Sequence, residues 1–121
     1  MPLPSLQDIE AAAQVLALKP DGAILAGLDV GVVGASDAEG IAFEVRAFFP
    51  GTHGLAEDPV TGSLNAALAQ WLIGAGLAPT RYVASQGTAL GRAGRVHVEH
   101  DGSNIWVGGH CVTCISGTAW L

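Results

Sequence analysis

Glu57-Asp58-Pro59-Val60-Thr61-Gly62-Ser63 sets a carboxylate directly before a proline, then small hydrogen-bonding residues, then a long apolar stretch at helical spacing. The first backbone N–H groups of a helix have no partner inside it and carry partial positive charge, so a helix beginning here can hold an anion. Asp58 stands beside that anion site, where a proton could be taken up or handed on. Thr61, Gly62 and Ser63 would offer N–H groups to a bound carboxylate, and His53, in the loop just before, is the histidine best placed to reach the same pocket. Each of these has a plainer explanation. Aspartate is a favoured N-cap and proline a favoured first helical residue, and Thr61 to Ser63 can simply be a first helical turn. Arg46 can pair with Asp58 or Glu57 or lie on a solvated strand face; a structural role is expected for it.

The remaining chemistry-bearing residues point less clearly. Cys111 and Cys114 share a C-x-x-C spacing, but one such pair supplies too few donors for a zinc site. They are expected to be packing thiols on a strand. His97 and His100 fall three apart in a strand-like run and should face opposite ways, which argues against a metal pair. His110 reads as a strand residue. No metal ligands are assigned.

The elements that must position the motif follow from periodicity and punctuation. Ser5 and Asp8 resemble a capping box that opens a helix along Leu6, Ile9, Ala13, Leu16 and Ala17, ended by Lys19-Pro20-Asp21-Gly22. Residues 23–34 read as one broken strand or two short ones, 36–40 as a polar turn, and 41–49 as a strand by its β-branched and aromatic alternation. Residues 50–54 form a loop. The main helix is expected over about 59–74, with Val60, Leu64, Ala67, Leu68, Trp71 and Ala75 along one stripe and further apolar residues between them. A helix apolar nearly all round is usually buried. Residues 79–87 hold another strand, and Asp101-Gly102-Ser103 turns a hairpin between 95–100 and 104–107. Strands are also expected at 110–116 and at the end of the chain. These elements define an α+β fold: a curved, mostly antiparallel, barrel-like sheet wrapped around one central helix, forming a single domain over 1–121.

Composition narrows the function. The chain has 121 residues, half of them hydrophobic, a formal charge of −6 and one lysine, Lys19. Without a large basic patch, nucleic-acid binding is not expected. The opening residues lack a basic segment followed by an apolar core, and no apolar run is long enough to span a bilayer. A cytoplasmic protein without membrane contact is the expectation.

Arg46-Ala47-Phe48-Phe49-Pro50 followed by the Glu57–Ser63 motif resembles the C-terminal lobe of the phenazine-biosynthesis isomerase family (PhzF-like). Gln86-Gly87, Gly91-Arg92 and Val107-Gly108-Gly109 resemble later landmarks of that family in the same order. The resemblance implies one lobe of a diaminopimelate-epimerase-like fold. It also implies proton-transfer isomerisation of a small carboxylic acid without metal or organic cofactor. It assigns Asp58 to the family's active-site aspartate, and Gly62 and Ser63 to its substrate-contacting segment. Leu64 departs from the small residue usual after that serine. The family's principal acid/base glutamate and an active-site histidine lie in an N-terminal lobe that this sequence does not contain. Three functions are consistent with this: an isomerase whose site is completed by homodimerisation, a small-carboxylate binding module, or a split subunit needing a separate N-terminal lobe.

Overall fold

The computed structural model describes residues 10–23, 25 and 27–121. The strands are β1 (Glu10–Ala11), β2 (Val30–Ala35), β3 (Phe43–Gly51), β4 (Gly54–Asp58), β5 (Arg81–Gln86), β6 (Gly94–His100) and β7 (Ile105–Gly108). The helices are α1 (Ala12–Ala17) and α2 (Gly62–Gly74). The seven strands make one mixed sheet in the order β1-β2-β3-β5-β6-β7, with β4 paired to β3. Pairings β1 with β2 and β3 with β5 are parallel, and the others are antiparallel. An α+β fold with a mostly antiparallel sheet is therefore present.

Successive strand residues point to opposite faces, and β3 shows what each face does. Phe43 and Val45 turn toward α2 and join Leu68, Ala69, Trp71, Leu72, Tyr82, Ala84, Val96 and Val98 in the core. Arg46, next along the strand, faces the other way. Its guanidinium donates through Nη1 to the carbonyls of Val15 at 3.1 Å and Leu18 at 2.8 Å, closing the C-terminal end of α1. The two helices thus lie on opposite faces of the sheet. α2 is not enclosed among the described residues: Ser63, Ala67, Gln70 and Gly74 remain exposed along one stripe. Among the described residues the sheet covers α2 on one side and leaves this stripe open. Gly76, at φ +73°, stops α2 in the left-handed conformation that ends many helices, with the Leu77 N–H bonded to the Leu72 carbonyl at 2.8 Å.

Other elements differ from the sequence reading. Residues 50–54 are not a loop, because β3 continues to Gly51 and β4 resumes at Gly54, leaving Thr52 and His53 as the hairpin turn. The described residues of 23–27 form turns, Leu28 and Asp29 are irregular, and strand begins only at Val30. Ser5, Leu6, Asp8 and Ile9 lie outside the described residues. Residues 109–121 form neither strand nor helix and are exposed throughout, Trp120 to 99%. A strand needs a partner for its backbone, and alternation of residues alone does not supply one. Cys111 and Cys114 lie in this segment, so both are exposed thiols rather than packed ones. His110 packs edge-on against His97, ring centroids 5.3 Å apart.

Candidate active site

The segment between β4 and α2 is held from below by β5 and β6. Gly87, at φ +86°, and Gly94 lie against it, and a Cβ on Gly87 would come within 2.8 Å of the Pro59 carbonyl oxygen. A Cβ on Gly94 would come within 2.6 Å of Val60 Cγ2 and 3.0 Å of the same oxygen. Both glycines are needed because the Pro59-Val60 backbone packs directly on the strand ends.

Asp58 is the last residue of β4, opposite Ala47 of β3. It is not the N-cap of α2, and Pro59 is not its first residue. Thr61 caps the helix, with the extended φ and ψ of −129° and 108° usual at that position. The Thr61 hydroxyl does not turn forward to the helix; it donates back to Asp58 Oδ2 at 2.8 Å. Asp58 is still engaged in the β3–β4 ladder, too early in the chain for its carboxylate to reach the helix amides. The first α-helical bond runs from the Asn65 N–H to the Thr61 carbonyl at 3.1 Å. The N–H groups of Gly62, Ser63 and Leu64 precede it and have no place in the helical ladder.

Glu57 and Asp58 are neighbours on a strand and diverge accordingly. Glu57 forms a two-pronged ion pair with Arg46, Nη2 to Oε1 at 2.7 Å and Nε to Oε2 at 3.2 Å, on the α1 side. The Arg46 guanidinium also lies 4.8 Å from the Phe48 ring centroid. Asp58 turns instead into an open cleft of about 380 Å³ between β2, β3 and the start of α2. Thr61, Ser63, Leu64 and Ala67 line one side of it, Val30 and Gly31 another, and Ala47, Phe48 and Phe49 the floor. Leu64 fits because Gly31 faces it: a Cβ at Gly31 would collide with both Leu64 methyl groups.

The cleft brings together Asp58, Thr61 and Ser63. Gly62 is exposed at the helix start without lining it, and His53 sits exposed at the β3–β4 turn, outside the cleft. Asp29, at the entry to β2, also lines it. Nothing in the local pattern around Asp29 marked it for this position, because the strand pairing that places it is long-range. Among the described residues no three His, Cys, Asp or Glu side chains gather as a metal site, and no helix is long and apolar enough to cross a membrane.

The α+β fold sets the Asp58 carboxylate at a strand end, beside the start of α2 and at the edge of a largely apolar hollow that Asp29 also lines. The family model described as "Phenazine biosynthesis-like protein" matches residues 6–117, and the chain belongs to that family. It is 37% identical over 108 residues to a Pseudomonas aeruginosa protein described as an uncharacterized isomerase. The match covers 88% of this chain and 40% of that relative, so the chain spans well under half of the relative's length.

Proposed function

We propose that this chain is a single lobe of an isomerase-type enzyme that moves protons on a small carboxylic acid, with Asp58 as an acid/base group. The observation that carries the reading is the orientation of Asp58 into a hollow whose opposite wall is apolar and whose rim is a helix N-terminus. The free amides at the start of α2, with the Ser63 hydroxyl, would receive the substrate carboxylate. The apolar wall from Val30 to Phe49 suits a ring or short hydrocarbon body, and Asp58 then lies beside the carbon next to the acid group. Family membership and the relative described as an isomerase support this reading.

The cleft is open on one side, with Phe49 of its floor exposed. An open acid/base site is weakened by water, which favours closure by a second copy of this chain. A separate N-terminal lobe is the competing arrangement. Asp29 distinguishes these: if it is the second proton-transfer group, one lobe holds both.

The experiment follows deuterium wash-in by NMR into a panel of small cyclic carboxylic acids, with light scattering to give the assembly state. The Asp58→Asn variant should exchange about 10²-fold more slowly or worse. Equal rates in the two proteins would remove Asp58 from the chemistry. Loss of wash-in on Asp29→Asn would make Asp29 a second acid/base group of this lobe, and unchanged wash-in would remove Asp29 from the chemistry.

A further inference from the structure

Gln86 is fully buried at the end of β5, 28 residues from Asp58 in sequence, and every hydrogen-bonding position of its amide is used. Its Nε2 donates to the Asp58 carbonyl at 3.0 Å and to Thr61 Oγ1 at 3.0 Å. Its Oε1 accepts from the Thr61 N–H at 3.1 Å and from Asn65 Nδ2 at 2.9 Å. Asn65, itself buried, donates also to the Thr61 carbonyl at 2.8 Å. An amide has two donors and two acceptor positions. Here both donors meet oxygens and both acceptor positions meet N–H groups, so the orientation of the amide is determined. A flipped Gln86 would face like against like at three of the four contacts, the Asp58 carbonyl, the Thr61 N–H and the Asn65 amide, while the Thr61 hydroxyl would have to turn its hydrogen away from Asp58.

That orientation has a consequence one bond further on. Thr61 Oγ1 already accepts from Gln86 Nε2, so its own hydrogen is free for Asp58 Oδ2, 2.8 Å away. Gln86 N–H to Thr61 O–H to Asp58 carboxylate is therefore a directed chain. Each link polarises the next in a part-buried setting. A packing role alone would need Gln86 to hold the Asp58-Thr61 backbone, which two of its bonds do. The bond to the hydroxyl reaches further: it engages the Thr61 Oγ1 that donates to Asp58 Oδ2, while the Val60 N–H makes a longer bond, 3.4 Å, to Asp58 Oδ1.

We infer that Gln86 is a positioning residue that acts through the Thr61 hydroxyl to hold the Asp58 carboxylate in a single, cleft-facing orientation. This rests on the assignment of Asp58 as an acid/base group for its catalytic meaning, and on geometry alone for the orientation.

The test separates the two. Three-bond couplings from the Asp58 backbone nitrogen and carbonyl carbon to Cγ report whether its side chain occupies one rotamer. The wild type and Thr61→Ser, which keeps the hydroxyl, should show a single rotamer. Thr61→Val and Gln86→Met should show averaged couplings while the amide spectra of α2, β5 and β6 remain dispersed. Alongside, deuterium wash-in is read on a cyclohexadienyl carboxylate, whose doubly allylic hydrogen lies next to the acid group. Thr61→Val and Gln86→Met should each lower the rate about tenfold, the size of one lost hydrogen bond to a charged partner, with binding of the probe shifted less than twofold. A locked Asp58 rotamer in folded Gln86→Met overturns the inference. Should Gln86→Met fail to fold, Thr61→Val decides: averaged couplings support the relay and a locked rotamer refutes it. If wild-type protein gives no wash-in, the acid/base assignment fails, yet the couplings still decide the positioning role.

Discussion

Removing Arg46 is the perturbation whose cost can be worked most fully. Arg46 and Glu57 are both nearly buried and joined by two hydrogen bonds, and Arg46 also serves the Val15 and Leu18 carbonyls at the end of α1. In Arg46→Met the Glu57 carboxylate is stranded, which costs about 3–5 kcal/mol for a buried pair broken on one side. The Val15 carbonyl keeps the Leu18 N–H at 3.3 Å but loses the Arg46 donor, for up to about 1 kcal/mol more. The total is comparable with the whole stability of an ordinary domain, roughly 5–15 kcal/mol. In Arg46→Met with Glu57→Met the stranded charge is gone and only the carbonyl losses remain, so the double variant should lie about 1–2 kcal/mol below wild type. Urea denaturation followed by tryptophan fluorescence of Arg46→Met, Glu57→Met and the double variant closes the cycle against wild type, with a coupling of at least about 3 kcal/mol expected. A single variant costing under about 1 kcal/mol, or a double variant no more stable than Arg46→Met, would refute the reasoning. Because Glu57 immediately precedes Asp58, hydrogen exchange across β4 should rise with the same single substitution.

Three further outcomes follow from local geometry. Gly31→Ala places a methyl group against the flexible end of Leu64 and should push that side chain to another rotamer for about 1 kcal/mol or less; Leu64→Ala in the same chain should remove that cost in a denaturation midpoint. Glu44 is buried, and its Oε1 has no hydrogen-bond partner among the described residues, so Glu44→Met should raise stability by about 1–3 kcal/mol, read as a higher Tm; a lower Tm would contradict this. The Asp101 carboxyl is held down to about 2, from an ordinary 3.8, chiefly by the Asn104 N–H, then by the Trp106 indole and the Ser103 N–H. A depressed carboxylate stabilises the fold fully above its unfolded value and loses that contribution as pH falls through its folded value. Melting curves of Asp101→Asn should therefore depend less steeply on pH than wild type between about 4 and 2.

Short-range signals in the sequence carried far. The Asp101-Gly102-Ser103 turn, the strand around Phe43 to Phe49 and the helix ending at Gly74 all follow from punctuation and alternation over a few residues. The face that α2 buries did not follow, because residues such as Ala66, Ala67, Ala69 and Ile73 make it apolar on several sides and leave the period uninformative. The sheet decides instead, burying Asn65, Leu68, Ala69, Trp71 and Leu72. Asp58 was recognisable from its motif, but its place at a strand end rather than at the helix cap depends on pairing with Ala47. Gln86 and Asn65 are ordinary amides in sequence, and only the approach of β5 to the Thr61 turn gives them a task. The strands expected after Gly109 fail for a related reason: local alternation favours a strand, while a ladder requires a neighbour.

The central claim is that Asp58 moves a proton at a bound small acid. The most direct measurement is the deuterium wash-in rate of wild type against Asp58→Asn at matched assembly state, with Asn in the same space and without a basic carboxylate. The account predicts a loss of about 10²-fold or more with the fold and binding retained; exchange that proceeds undiminished in Asp58→Asn would contradict it.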